Sequence, residues 1–392
     1  MRRASTKKKN GGRPQAVDLF CGAGGMSLGF EQAGFDVVAG FDSEQRHVET
    51  FRHNFPEAAG VVADLTEVAG SDIRALAGIG DGMVAAVFGG PPCQGFSLIG
   101  KRDHSDPRND LVFHFARLVC ELQPQYFAME NVGGIRTLRN GSFLDRFVDA
   151  VRQAGYEVVA PPRVLNAADF GVPQRRRRLF VIGYHRDLTA PEYPVPADGR
   201  SAGRKGFDAT QLRPNVGDAI GDLPDVDEFE ELLAQDSVRA RLGKPSRYVR
   251  YLRGQLKDAA ECGLPRQWDR RLLTASLRTV HRPESVKRFR KTKPGEYEAR
   301  SRLYRLSWDG LCPTLRAGTG PENGSFMAAR PIHPERDRCI SVREAARLHS
   351  FPDWFTFDPT KWHGFRQIGN SVPPLLARAV ARQIVQTLCQ LL

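Results

Sequence analysis

From residue 15 to about residue 184, short apolar runs alternate with amphipathic stretches. QAVDLF leads through a glycine-rich turn into MSLGFEQAG. FDVVAGFD is followed by SEQRHVETFRHNF, and GVVADL by SDIRALAGI. MVAAVFGG precedes LVFHFARLVCELQ, where Val112, Phe115, Val119 and Leu122 recur at helical spacing. QYFAMENV and then RRLFVIGYH complete the series. Strands of this kind alternating with helices predict βαβ units, a parallel sheet and helices on both of its faces.

The alternation fails after Tyr184. RDLTAPEYPVPADGRSAGRKG is rich in proline, glycine and charge and reads as a linker or long loop. From there to about Ile340 the pattern is irregular and basic, as in KPSRYVRYLRG, VKRFRKTKPG and CPTLRAGTGPENG. SVREAARLHSF predicts a helix with Ser341 as N-cap and Glu344 closing a capping box. SVPPLLARAVARQIVQTLCQLL predicts an amphipathic C-terminal helix opened by prolines.

At 392 residues the chain has room for one large domain and a smaller one. It is 41% hydrophobic and 26% charged, an ordinary globular balance, and no apolar run approaches the ~20 residues of a membrane span. The opening MRRASTKKKNGGRP lacks an apolar core after its basic start, so it reads as a disordered basic arm rather than a secretory signal. Seven scattered cysteines, with no C-x-x-C pair or Cys/His cluster, suggest neither a disulfide framework nor a metal site. A reducing cytoplasm is expected. The net charge of +12 favours a polyanion as partner, nucleic acid first.

Candidate chemistry falls at the strand ends. In DLFCGAGGMSLGF, Gly22 and Gly24 fit the first two glycines of a dinucleotide fingerprint, but Ser27 stands where the third belongs. Asp42 closes the second apolar run, 20 residues after Gly22, where an acid meets ribose hydroxyls. Asp64, after the third, is suited to an adenine amino group. Each taken singly also reads as a solvated acid or a tight turn. Together they point to an adenosine-containing cofactor.

FGGPPCQGFS then holds Cys93 on a stiff turn past the fourth strand, beside the switch point where ligands bind in such sheets. A positioned nucleophile fits this setting, and so does a small buried hydrophobe. Gly89, Gly90 and Gly95 leave room for a large substrate to approach. Glu130, ending YFAMEN, is either a working acid with a raised pKa or a cap for the next helix. In PQRRRRLF, which also brings Gln174, strand alternation sends Arg176 and Arg178 to one side and Arg175 and Arg177 to the other.

Taken in order, DLFCGAGGMSLGF, GGPPCQGFS, DPRNDL, MENV, PQRRRR, REAARLHSFP and IGNSVPP resemble the DNA (cytosine-5)-methyltransferase family. The resemblance covers Val17 to Tyr184 and Ile340 to Ala381. It implies a Rossmann-like S-adenosylmethionine-dependent methyltransferase sheet with a smaller, irregular target-recognition domain. Residues 1–14 would be the arm, 15–185 the catalytic and cofactor-binding domain and 186–340 the target-recognition domain. A connecting helix and hinge would occupy 341–365, and 366–392 would return to the catalytic domain. Cys93 resembles the nucleophile that adds to carbon 6 of a flipped-out cytosine, Glu130 the acid on ring nitrogen 3, Arg178 the arginine on the 2-carbonyl, and Arg176 the one that supports the acid. Phe20, Gly22, Gly24, Asp42, Asp64, Leu65, Pro91, Leu111, Asn370 and Ser371 match contacts to S-adenosyl-L-methionine. Asp42 departs from the glutamate usual in the family, and Glu44 is a substitute for its reach to the ribose. SLIGKRDHSDPRND resembles the family's mobile loop, with Ser97, Lys101 and Arg102 on DNA phosphates. Arg316, in CPTLRAGTGPENG, offers the bidentate fork that guanine edges accept, while the basic runs Arg247–Arg253 and Lys287–Lys293 read as phosphate contacts. The implied partner is double-stranded DNA, bound by a monomer. Bacterial restriction–modification, with a separately acting endonuclease, is the family's commonest setting.

Three alternatives stay open on sequence. One is a transfer-RNA methyltransferase on the same scaffold, against which the long stretch 186–341 counts. Another is a catalytically silent DNA-binding protein, against which intact Cys93, Glu130 and Arg178 count. The last is a nicotinamide dehydrogenase, disfavoured by Ser27.

Overall fold

Residues 15–185 build the sheet that the alternating pattern predicts, with one strand reversed. The computed structural model describes residues 12–92, 111–136, 142–196, 207–256, 258, 261–319 and 330–390. The elements run β1 (Gln15–Leu19), α1 (Gly25–Ala33), β2 (Asp36–Asp42), α2 (Gln45–Asn54), β3 (Ala59–Val62), α3 (Gly70–Leu76) and β4 (Ala86–Gly89). They continue with α4 (Leu111–Leu122), β5 (Tyr126–Asn131), α5 (Ser142–Gln153), β6 (Tyr156–Val158), β7 (Arg163–Asn166), β8 (Gln174–Arg175) and β9 (Arg177–His185). The strand order is β3-β2-β1-β4-β5-β9-β6, with β7 also paired to β9.

The five strands from β3 to β5 are parallel. β9 is not: it runs antiparallel to β5, β6 and β7. The sheet is parallel, as expected, except at this strand, for a simple reason. Between β7 and β9 the chain has only a short 3-10 turn, Ala167–Phe170, and the brief β8. A parallel return needs a crossover of roughly a dozen residues or more, usually a helix.

Period-two alternation sends successive side chains into two cores. Val17, Val87 and Phe127 join one cluster, with Val112, Phe115 and Val119 of α4 and Phe147 of α5. Ala16, Phe88 and Ala128 join the other, with Phe30 of α1 and Phe51 of α2. Helices thus cover both faces. β5 is buried along its whole length, as a central strand must be.

The second half adds α6 (Val216–Ile220), β10 (Val238–Arg239), α7 (Arg247–Leu252), β11 (Leu272–Leu273), α8 (Pro283–Lys291), β12 (Cys312–Pro313), α9 (Val342–Leu348), α10 (Lys361–Asn370) and α11 (Pro374–Cys389). α9 has the predicted capping box: Ser341 Oγ accepts from the Glu344 N–H, and Glu344 accepts from the Ser341 N–H. α11 returns to the sheet, as the sequence led one to expect, and packs along α1. A Cβ on Gly29 would fall 2.5 Å from Ala377 Cβ, so only glycine allows this approach.

The stretch 186–340 does not pack as one unit. Ala209, Val216, Tyr248, Val249 and Leu252 share the core of α1 and α11. The Cys262 N–H donates to the Gln32 carbonyl at 2.8 Å, and Arg266 pairs with Glu31 at 2.6 Å. Farther along, Phe289, Ile332 and Cys339 form a small core of their own with Leu303. Among the described residues no helix is long and apolar enough to cross a membrane, and no group of three His, Cys, Asp or Glu residues is arranged to hold a metal.

Candidate active site

The chain reverses between β1 and β4: β2 and β3 extend the sheet one way and β5 the other. The crevice outside the carboxyl ends of β1 and β4 is the place where open α/β sheets bind ligands. β1 leaves through Phe20 and Gly22, with φ of 64° and 54°, and Gly24, with φ of 97°, precedes α1. The side-chain direction of Gly22 opens on empty space, whereas a Cβ on Gly24 would strike the Phe55 ring at 2.4 Å. Ser27, out of place for a dinucleotide fingerprint, is buried and donates its hydroxyl to the buried Asp18.

Asp42 welds this turn to the next strand. Its Oδ2 accepts from the Gly22 N–H at 2.9 Å, and Oδ1 accepts from the Glu44 N–H at 2.9 Å and lies 3.3 Å from His47 Nδ1. Burial pushes the Asp42 carboxyl up, but His47 and the two N–H groups more than offset this and hold it below its ordinary value. Glu44 therefore supports Asp42 through its backbone and caps α2. Asp64 lies two residues past β3, in the turn rather than at the strand's end. It is exposed, and its Oδ1 accepts from the Thr66 N–H and hydroxyl at 2.9 and 2.8 Å. The neighbouring Leu65 is buried, and its carbonyl accepts from Arg117 at 2.8 Å. Half-buried Leu111 opens α4.

From the far end of the chain, Asn370 is the exposed last residue of α10, and Ser371 is buried. A Cβ on Gly25 would come within 2.8 Å of Ser371 Cβ and 2.6 Å of the Val372 carbonyl. The IGNSVPP segment thus rests on the first residue of α1, beside the glycine-rich turn.

On the other flank of the crevice, Glu130 lies buried near the end of β5 and pairs with Arg178 Nε at 2.9 Å. Burial raises its pKa, and the charges of Arg178 and Arg176 oppose the rise without cancelling it. A Cβ on Gly90 would sit 3.0 Å from Glu130 Oε2, and one on Gly89 would overlap the Leu19 carbonyl at 1.9 Å. These two glycines therefore make room for the protein's own carbonyl and acid, not for a substrate. Asn131 Nδ2 donates to the Pro91 carbonyl at 3.1 Å, which fixes the chain that leads into Cys93. Cys93, Gly95, Ser97, Lys101 and Arg102 lie outside the described residues.

The arginine run alternates as expected: Arg175 and Arg177 are exposed, while Arg176 is fully buried and Arg178 half-buried. Their division of labour differs from the expectation. The acid's direct partner is Arg178, not Arg176. Arg176 donates to the carbonyls of Leu315 (2.9 Å), Gly369 (2.8 Å) and Ser371 (2.9 Å), because the strand turns it away from β5 toward the returning segments. Exposed Arg316 follows Leu315, on a segment whose β12 pairs in parallel with β8.

The basic runs also divide. Arg253 is buried between Asp222 and Asp353, so the run Arg247–Arg253 is partly internal. Lys287, Lys291 and Lys293 are exposed, whereas Arg288 pairs with Glu298 at 3.3 Å and Arg290 with Asp337 at 2.9 Å. Three residues given no task by sequence reasoning belong to this neighbourhood: His47, Gln174 and His349. The available signal was a polar residue set among buried apolar ones inside the motifs PQRRRR and RLHSFP, or one helical turn past Asp42.

The model of the C-5 cytosine-specific DNA methylase family matches residues 15–386. Type II methyltransferase M.XorII of Xanthomonas oryzae pv. oryzae is 52% identical over 376 residues, spanning 96% of this chain and 85% of that protein. Type II methyltransferase M.AgeI of Thalassovita gelatinovora is 32% identical, over 94% of this chain and 99% of its own length. A crystal structure described as a DNA modification methyltransferase encoded within an E. coli prophage superposes with a TM-score of 0.77 at 33% identity, over 96% of this chain and 99% of that one. The family model and the 52% identical Type II methyltransferase favour DNA methylation over the dehydrogenase, transfer-RNA and silent-binder alternatives. With likeness this extensive in both sequence and structure, the chain is an enzyme, a DNA (cytosine-5-)-methyltransferase, and belongs to the C-5 cytosine-specific DNA methylase family.

Proposed function

We propose that the chain methylates carbon 5 of a cytosine flipped out of a specific duplex sequence, through a covalent adduct with Cys93. The observation that carries this reading is the buried Glu130–Arg178 pair, packed against the Gly90–Pro91 segment that runs directly into Cys93. The Cys93 thiolate forms a bond to carbon 6; the electron pair of the 5,6 double bond shifts to between carbons 4 and 5, and that of the carbon 4–nitrogen 3 double bond moves onto nitrogen 3. Glu130, its pKa raised by burial, donates to nitrogen 3 as that charge develops. Arg178, half-exposed beside it, hydrogen-bonds the 2-carbonyl. Once carbon 5 has gained its methyl group, a base removes the proton there. The 5,6 double bond re-forms, nitrogen 3 returns its proton to Glu130 and the Cys93 sulfur leaves as the thiolate.

The residues around the turn fit S-adenosylmethionine. Open space lies over Gly22, Asp42 presents a fixed carboxylate at a strand end, and exposed Asp64 and Asn370 flank it. Asp42 would meet the ribose, Asp64 the adenine amino group, and Phe20, Gly24, Leu65, Pro91, Leu111 and Ser371 would complete the cradle. Bound there, S-adenosylmethionine supplies the methyl group.

Arg316 would read a guanine edge. Lys287, Lys291 and Lys293 would join Ser97, Lys101 and Arg102 on phosphates. The reading unit would lie within 186–340, around the small separate core of Phe289, Ile332 and Cys339, since residues on both sides of it share the core of the catalytic body. The chain would act as a monomer on chromosomal DNA in a bacterial cytoplasm, alongside a separate endonuclease of the same specificity.

A duplex carrying 5-fluorocytosine at the target tests the covalent route, because fluorine blocks the final elimination. The wild type should form an adduct that survives denaturation, and Cys93→Ala should form none. Methyl transfer above a trace by Cys93→Ala would remove the thiol from its role.

A further inference from the structure

Gln174 and His349 are fully buried and have no part in the proposed chemistry. Gln174 Oε1 accepts from the Leu315 N–H at 3.1 Å. Its Nε2 donates to His349 Nδ1 at 2.9 Å and to the Leu348 carbonyl at 3.2 Å. His349 Nε2 lies 3.0 Å from the Ser371 carbonyl.

Parity fixes the direction of this chain. A carbonyl oxygen only accepts, so His349 Nε2 carries the proton. In a neutral imidazole Nδ1 is then an acceptor, which is what the Gln174 amide requires. Turning the amide over would set its NH2 against the Leu315 N–H. Protonating the ring would set a second N–H against the amide. Burial first, and then the Arg176 charge, hold His349 far below its ordinary pKa, which keeps it in the one form that fits.

Arg176 runs a second link beside the first, from the Leu315 carbonyl to those of Gly369 and Ser371. Leu315 is thus held through both its N–H and its carbonyl, and the Ser371 carbonyl is held twice. Gly369 lets the two segments meet: a Cβ there would fall 2.3 Å from the Ala317 nitrogen. One residue beyond Leu315 stands exposed Arg316, and one residue before Ser371 stands exposed Asn370.

We propose that His349 and Gln174 are positioning residues that couple engagement of the duplex at Arg316 to cofactor binding at Asn370 and Ser371. The inference rests on the roles proposed for those two segments in DNA and cofactor binding. A rigid buried link means that either ligand, by ordering its own segment, orders the other's. By linkage each then tightens the other by the same factor.

The test titrates S-adenosylhomocysteine by calorimetry into the protein alone and into the protein saturated with duplex. The duplex carries the site found by sequencing 5-methylcytosine in DNA from cells expressing the chain. In the wild type the duplex should lower the dissociation constant about fivefold or more, the lower end of common couplings. His349→Leu and Gln174→Leu should each bring that factor close to one. His349→Gln should keep it, because its amide oxygen accepts from Gln174 and its NH2 donates to Ser371. A wild type without tightening overturns the proposal. So does either leucine variant that folds and keeps the full factor. Asn370→Ala separates the two layers: unchanged affinity of that variant alone would sink the cofactor reading and the coupling with it. Weakened affinity alongside an intact factor in His349→Leu sinks the coupling only.

Discussion

The two halves of the molecule are held by different forces. In residues 15–185 the interior is mainly apolar, with few buried charges: Phe127 lies between α4 and α5, edge-on to the rings of Phe115, Phe147 and Tyr156. In the second half, buried arginines take over. Arg347, with no exposure, binds Asp353 at 2.7 Å and also Asp222, and Arg253 joins the same two acids. Arg338 grips Glu344 with two bonds of 2.9 Å, and Arg378 pairs with Asp258 at 2.7 Å. Apolar packing follows a period and tolerates small shifts. A buried ion pair follows no period, needs its geometry and depends on protonation. The proposed catalytic crevice lies where the two kinds of interior meet, with Glu130 and Arg178 on the sheet and Arg176 reaching across.

The largest expected effect is on chemistry. Glu130→Gln removes the proton donor without removing bulk and should lower the single-turnover rate roughly 100- to 10,000-fold. Affinity for S-adenosylhomocysteine should change far less. A variant that lost affinity and kept its rate would take the acid out of its role.

The comparison itself is tested next. Asp353→Ala leaves Arg347 and Arg253 with only one of the two acids they share and should cost about 3–5 kcal/mol in chemical denaturation. Phe127→Ala should cost a similar ~3–5 kcal/mol through its cavity. Acid should tell them apart. Burial raises the carboxyls of Asp353 and Glu344, but Arg347 and Arg338 outweigh it and bring both to about 2. Their contribution is complete above the ordinary carboxylate range and is lost as pH falls toward 2. His281, pushed down to about 4 mainly by burial, acts in the same direction: folding favours its neutral form, so stability falls as pH drops from 6.5 toward 4. The deficit of Asp353→Ala relative to wild type should therefore shrink on acidification, while that of Phe127→Ala stays level. Equal pH dependence of the two deficits would refute the division into halves.

Asp42→Ala should raise the dissociation constant for S-adenosylhomocysteine about tenfold or more, since it removes a charged acceptor and frees the Gly22 N–H. Unchanged affinity in calorimetry would move the ribose contact elsewhere. Arg316→Ala should alter preference at one base pair by about 1–3 kcal/mol. The smallest effect belongs to Lys287→Ala, which should weaken all duplexes alike and reduce the salt slope by about one unit. A sequence-specific loss in Lys287→Ala, with a uniform one in Arg316→Ala, would mean that reader and clamp are exchanged.

Much of the first half was legible in the sequence, because each element there carries its own period and each site residue follows an apolar run. Asp42, Glu130 and the alternating arginines could be placed from strand ends alone, and the capping box of α9 from four letters. The reversal of β9 could not, since an apolar strand looks the same in either direction and only the length of its connection decides. Nor could the partners of Arg176, Gln174 and His349. Apart from the Gln174–His349 contact, their bonds go to backbone carbonyls and amides, for Arg176 and Gln174 from over a hundred residues away, and every residue offers the same carbonyl. The sequence by itself determined the family and the order in which the glycine-rich turn, the acid after an apolar run and the arginine run follow one another along the chain. Only the tertiary structure decided which arginine holds the acid and which fastens the returning segments. That choice depends on where separate strands and loops converge, and burial makes it costly to leave any of those polar groups unpaired.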